Sequence, residues 1–185
     1  MNRCKWPSLE NNPIYVEYHD NEWGVPSYDD RHLFKMLILE SFHCGLSWLI
    51  ILKKREAFKL AFDDFDPKKI MEYNEDKINE LLSNKDIVRN KSKILAAISN
   101  AKAFLKVKKE FGSFKNYIWS FTNDKIIFGD GINFQTTNAL SDQVSKDLKK
   151  RGFKFMGSVT TYSYLEAIGV MNNHMKECFR FHKSK

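Results

Sequence analysis

The chain is expected to fold as an all-α protein, on three observations. Apolar residues recur at three- and four-residue intervals nearly throughout. No period-two alternation is long enough for a useful strand. Helix punctuation, with Asp before periodic segments and Gly after them, recurs along the chain. There is no internal repeat and no low-complexity linker.

The elements follow in order. After an aromatic, turn-rich opening, Asp29 or Asp30 caps a helix through about Phe42, with Leu33, Phe34, Leu37 and Ile38 on one face. Gly45 interrupts. A second helix runs from about Leu46 to Phe62, apolar at first and amphipathic after Lys53. Asp66-Pro67 opens a short helix through Tyr73, with proline at its permitted first position. Glu75–Leu82 is another short helix, and Asn84–Arg89 is a tight connection. A long helix follows from about Asn90 to Phe111, with Ile94, Ala97, Ile98, Ala101 and Leu105 facing inward and Gly112 as its C-cap. Ser113–Phe121 is aromatic and helical, and Thr122–Asn138 is the clearest loop. Ser141–Arg151 and Ser158–Ile168 are helices stopped by Gly152 and Gly169. A last short helix carries His174 and Cys178, and His182–Lys185 is a frayed basic tail.

With 185 residues, 43% of them hydrophobic, the chain has ample material for a packed interior. The longest apolar run, Leu46–Leu52, is far short of a membrane span. Met1-Asn2-Arg3-Cys4-Lys5-Trp6 does not read as a signal peptide, so a cytoplasmic location is expected. The 30 basic and 23 acidic side chains leave a formal charge of +7. An anionic partner is plausible on that ground, although many basic proteins bind no nucleic acid. Lys53-Lys54-Arg55, Arg89-Asn90-Lys91-Ser92-Lys93 and Lys149-Lys150-Arg151 sit at helix ends or loops. Combined with an aromatic fraction of 14%, they suit phosphates and unstacked bases. Each cluster taken alone also reads as a solvated helix end.

Three cysteines do not make a secreted disulfide framework. Cys4 and His19 near the start, with His174 and Cys178 near the end, supply two thiolates and two imidazoles, the donor set of a closed tetrahedral zinc site. His174 and Cys178 are four apart, one helical turn. A Cys4–Cys178 disulfide is the alternative. Two further stretches are dense in aromatic and ionisable groups: Tyr15–Gly24 and Glu40–Trp48. Glu40 ends an apolar helix, where a carboxylate is costly to bury without a partner. A cationic or hydrogen-bonding ligand would be one partner; the Cys44–Leu46 amides would be another.

Several motifs then fall into one order and spacing: Arg3-Cys4-x-Trp6; Tyr18 through Pro26; Cys44-Gly45-Leu46-Ser47-Trp48; Leu52-Lys53-Lys54-Arg55-Glu56; Lys149 through Phe155; and His174-x-x-x-Cys178. On these the whole chain resembles the bacterial 3-methyladenine DNA glycosylase I family. The resemblance implies a helix–hairpin–helix DNA glycosylase fold in one domain, 1–185. Its hairpin lobe would be about 45–110, and its zinc and base-pocket lobe 1–44 with 111–185. It implies one structural zinc on Cys4, His19, His174 and Cys178. It implies a pocket with Glu40 as polar reader, Tyr18 beside it, and Trp6 and Trp48 as stacking walls; Glu40 and Tyr18 are the expected catalytic pair. The activity implied is hydrolysis of the N-glycosidic bond of 3-methyladenine in alkylated double-stranded DNA. The free base is released and an abasic site remains. No Schiff-base lysine is apparent, so the enzyme is expected to be monofunctional, and to act as a monomer.

The hairpin is expected to grip phosphates through Arg89, Lys91 and Lys93. Asp86 stands where the hairpin glycine is usual. Two other departures are Phe42, where the family commonly has glutamine, and Cys44, where it has alanine. Phe42 either faces the core or narrows the pocket, and Cys44 reads as a small buried residue. Two other functions share parts of the pattern. A damage-sensing binder on the same fold would not need the whole pocket set. A zinc hydrolase would need an open coordination position.

Overall fold

The computed structural model describes residues 1–182. Of the expected basic tail, everything after His182 lies outside the described residues.

The core is built around one helix. α1 covers Pro13–Asn21 and α2 covers Asp30–His43. Asp29 caps α2, its carboxylate accepting from the Arg31 and His32 amides. Leu33, Phe34, Met36, Leu37, Ile38, Leu39 and Phe42 are all buried, so α2 is apolar on nearly every side. A helix of that kind belongs in an interior. α3 (Trp48–Ala61) packs on α2. The short α4 (Pro67–Ile70) is capped by Asp66 and ends three residues before the expected Tyr73. α5 (Glu75–Ser83) and α6 (Lys91–Phe111) follow, capped by Asn74 and Asn90. α7 (Phe114–Ser120) is capped by Ser113. α8 (Ala139–Lys150) has a reciprocal Asn138–Ser141 capping box. α9 (Ser158–Ala167) packs against both α8 and α2.

Four expectations change. α1 lies inside the supposed turn-rich opening; Pro13 starts it, but its short apolar stretch has no helical period to betray it. On α6 the inward face includes Phe104 and Val107, while Leu105 is half-buried. The last helix is absent. Residues 173–182 form turns instead, because their amides bond elsewhere: Lys176 N–H to Gly131 O at 3.1 Å and Phe179 N–H to Asn2 O at 2.9 Å. The loop after α7 contributes a two-residue strand, β1 (Ile127–Phe128). It pairs in parallel with β2 (Met171–Asn172), Ile127 opposite Met171.

These contacts bring the chain ends together. β1 holds the segment leading to His174, and the N-terminal segment crosses the end of α9. There the Gly24 amide donates to Glu166 O at 2.9 Å and the Ser27 amide to Ile168 O at 3.0 Å. Gly169, at φ +72°, sits under this crossing; a Cβ there would lie 2.2 Å from the Val25 carbonyl carbon. Gly169→Ala is therefore expected to lower folding stability by about 2 kcal/mol or more, from backbone strain plus overpacking. Denaturant unfolding measures this, and an unchanged midpoint would contradict the crossing.

Candidate active site

Tyr18 and His19 are adjacent on α1, and both are buried. The chain then turns through Gly24, whose φ of +71° a side chain would resist. A Cβ on Gly24 would meet His174 Nε2 at 3.1 Å. The tight turn thus lets two ends of the chain close on one point.

At that point Cys4, His19, His174 and Cys178 are all buried, with their donor atoms within 4.8 Å of one another. His174 Nδ1 lies 3.5 Å from each sulfur, and Cys178 Sγ lies 3.6 Å from His19 Nε2. Both cysteines are free thiols, which removes the disulfide alternative. The outer nitrogens are engaged. His174 Nε2 is 3.1 Å from Trp23 O, which can only accept, so Nε2 carries the proton and Nδ1 a lone pair. His19 Nδ1 is 2.7 Å from the Asp20 carboxylate, itself held by Arg3 at 2.8 Å. By the same reasoning His19 Nε2 faces inward with a lone pair.

Burial lowers the His174 pKa to about 4 and lowers that of His19, against the opposing pull of Asp20, so both rings stay neutral. Amides of Met175 and Arg180 point at the two sulfurs, at 3.2 and 3.5 Å. Burial pushes the Cys4 thiol up to about 12. Two buried thiols beside two inward lone pairs form a cluster that could hold a metal ion, whose charge would favour the thiolates.

Beside the cluster lies a cavity of about 390 Å³. Trp6, Tyr18, Glu40 and Trp48 all line it, so the four pocket residues expected from sequence do converge. Trp6 packs edge-on against His19 (4.9 Å) and Trp23 (4.5 Å), which ties the cavity wall to the cluster. The Tyr18 and Trp48 rings lie 5.3 Å apart. The Trp48 indole N–H is buried without a hydrogen-bond partner. Such a donor is unusual in a finished core and suits a place where something else docks.

Glu40 is 2% exposed. Its partner is the His43 ring, Nδ1 to Oε2 at 3.1 Å, rather than the Cys44–Leu46 amides. Burial raises the Glu40 pKa and the His43 contact opposes that rise. Burial likewise drives the Tyr18 phenol far up, with the Glu40 charge adding to it.

The two departures settle differently. Phe42 is fully buried against Phe58 (4.9 Å) and Phe62 (5.5 Å), so it faces the core and does not narrow the cavity. Cys44 is exposed, not buried; it follows the last residue of α2, on the turn that leads to Trp48.

The connection between α5 and α6 presents Arg89 and Lys91 to solvent. Asp86 does not take a left-handed backbone; Lys54 Nζ anchors the Lys85 and Asp86 carbonyls at 3.2 and 3.1 Å. Lys93 corrects the expectation made for it. It is 6% exposed, and its ammonium donates inward to Phe42 O at 2.8 Å and Cys44 O at 2.6 Å. A cation on the last carbonyls of α2 satisfies groups that the helix leaves open and opposes its dipole. Lys93 therefore holds the turn into the cavity and is not free for a phosphate.

Tyr15, Trp23 and His43, which lie in the two dense stretches but carry no assigned role there, also line the cavity, as does Glu166, which lies outside both stretches. Glu166 had one signal: it is the only charged side chain in Ser158–Ala167.

The site is thus a buried carboxylate at the wall of an aromatic cavity, set in a helical core beside a cluster of two cysteines and two histidines. The model of the methyladenine glycosylase family matches residues 6–181. DNA-3-methyladenine glycosylase 1 of Escherichia coli (strain K12) is 41% identical over 181 residues, 96% of each chain. DNA-3-methyladenine glycosylase of Haemophilus influenzae (strain ATCC 51907 / DSM 11121 / KW20 / Rd) is 40% identical over 179 residues, 95% of this chain and 96% of its own. A solved variant of 3-methyladenine DNA glycosylase I, in complex with 3-methyladenine, superposes with a TM-score of 0.91 at 40% identity and covers all of both chains. This chain belongs to the methyladenine glycosylase family.

Replacing Lys93 leaves two carbonyls without their donor. Lys93→Met is expected to cost about 2 kcal/mol, read by denaturant unfolding, with Lys93→Arg recovering part of it. A neutral Lys93→Met would remove this role.

Proposed function

We propose that this chain is a monofunctional DNA-3-methyladenine glycosylase. It would hydrolyse the N-glycosidic bond of 3-methyladenine in alkylated duplex DNA, release the free base and leave an abasic site. The carrying observation is the buried Glu40 carboxylate at the wall of an aromatic cavity.

The chemistry follows from the lesion. Methylation at N3 makes the adenine cationic and a good leaving group. The protein must then extrude the nucleotide and select the charged ring. Indole and phenol faces attract a cation by roughly 0.5–2 kcal/mol each. Ionised Glu40 accepting from the exocyclic amine would favour the methylated ring over ordinary adenine. Tyr18 borders Glu40, and Trp6 and Trp48 supply stacking faces. The unpartnered Trp48 N–H offers a donor to a docked group. Binding the cationic ground state does not by itself lower the barrier. The pocket must also hold the base displaced from its sugar.

The Cys4, His19, His174 and Cys178 set fits a structural zinc. Thiolate and neutral imidazole are zinc's preferred ligands, each imidazole's outer nitrogen is already oriented, and four protein donors fill a tetrahedron. When bound there, zinc would supply cross-linking rather than hydrolysis. α5, the connecting turn and α6 support a helix–hairpin–helix DNA grip, with Arg89 and Lys91 on phosphates. The single domain would comprise that hairpin lobe, about 45–110, and a pocket lobe from both chain ends. Among the described residues no helix is long and apolar enough to cross a membrane. We place the enzyme in the cytoplasm as a monomer.

Incubation with methylated duplex DNA should release free 3-methyladenine and leave alkali-sensitive abasic sites without strand cleavage; no released base would overturn the activity. Glu40→Gln should keep the fold and weaken binding of a cationic base by about 1–2 kcal/mol, and equal affinity would remove Glu40 as reader. Metal analysis should find about one zinc per chain. Chelation or Cys178→Ser should lower the melting temperature, and a Cys178→Ser protein of full stability would contradict the clamp.

A further inference from the structure

The cavity holds a second carboxylate. Glu166, on α9, lines it together with Glu40 from α2. It is held in place: Asn173 Nδ2 donates to Glu166 Oε1 at 2.8 Å and to the Tyr162 hydroxyl at 2.9 Å. No cation is paired with it in the described structure. A carboxylate placed on a pocket wall with an amide for company and no counter-charge is poised for a ligand that brings the positive charge.

We propose that Glu166 is a specificity-determining residue of the pocket, a second carboxylate whose ionised form strengthens binding of a positively charged base over a neutral one. This rests on reading the cavity as the site of a cationic base.

The surroundings define how it titrates. Glu40 faces it from α2, with His43 beyond; Tyr18, Tyr15 and Glu22 belong to the α1 side, and Cys4 to the N-terminal segment. Tyr162 lies on its own helix, and Asn173 follows β2. α8, packed on the far side of α9, turns Asp142, Lys146, Lys149 and Lys150 to solvent. Burial, with a smaller push from the Glu40 charge, raises Glu166 to about 8, against the Asn173 hydrogen bond. Near neutral pH the side chain therefore carries a proton much of the time. A bound cation favours the ionised form, so it lowers the Glu166 pKa in the complex and sends the proton to solvent. By linkage, affinity for a fixed cation rises with pH through the window below about 8 and levels off above it.

The test uses 3,9-dimethyladeninium, a permanent cation at every working pH, and neutral 9-methyladenine, each titrated into the full-length protein. For the wild type, affinity for the cation should rise about tenfold from about pH 6.5 to about pH 9, as one added charge a few ångströms away would give. Glu166→Gln should flatten that rise to less than about twofold, while the neutral base shows no such difference between the two proteins. Calorimetry of the unaltered protein in two buffers of different ionisation enthalpy should show proton release on binding the cation and none on binding the neutral base. This second measurement stands if Glu166→Gln folds poorly. An unchanged pH slope in Glu166→Gln, or no proton release, overturns the role of Glu166 and leaves the pocket reading intact. A wild type that binds the cation at no pH overturns the pocket reading itself, and this proposal with it.

Discussion

Two thiols and two imidazoles from opposite ends of the chain must occupy one buried space, and most of the architecture near the cavity serves that requirement. Gly24 has to turn sharply because His174 lies against it. β1 has to pair with β2 so that the segment after Asn172 arrives in the right place. Lys176 bonds to Gly131, and Phe179 to Asn2, for the same reason. Trp6 is two residues from Cys4, and Tyr18 is next to His19. Whatever fixes the four donors fixes two walls of the cavity to within a bond or two.

The other walls answer to α2. A helix apolar on nearly every side carries Glu40 into the interior, and a charged group there has to be matched by its neighbours. His43 meets it from one turn on. Lys93 ties down the carbonyls where α2 ends, so the turn that carries Gly45 and Leu46 toward Trp48 has a fixed origin. The connection that presents Arg89 and Lys91 to solvent and the wall that carries Trp48 are thereby joined through one ammonium group. A phosphate grip and a base pocket so linked would share their alignment.

Most helices were legible in the sequence because their signals are local. Asp29, Asp66, Asn90 and Ser113 sit where helices start, and Gly112, Gly152 and Gly169 where they end. The features that were not legible depend on tertiary contacts. α1 is too short and irregular to announce itself, and the turns around His174 exist because Gly131 and Asn2 accept their amides. The pocket residues Trp6, Tyr18, Glu40 and Trp48 follow from the family resemblance that the motif order carries, not from composition or spacing by themselves. Lys93 was misread by composition, since a basic cluster says nothing about direction. Its helical phase, four residues before buried Ala97, pointed inward. Glu166 drew no notice because an isolated glutamate on a helix is ordinarily solvated.

The meeting of the two chain ends also orders events in time. A polypeptide is made from its N-terminus, and its early segments can begin to fold while the rest is still being synthesised. Here α2, α3 and α6 can collapse early, but Cys4 and His19 wait for His174 and Cys178, which are made only after all the helices. Until those emerge from the ribosome, Trp6 and Tyr18 lack the contacts that fix them, and the cavity they line is unfinished. A nascent or C-terminally truncated copy of this chain would hold most of its core without a closed cavity.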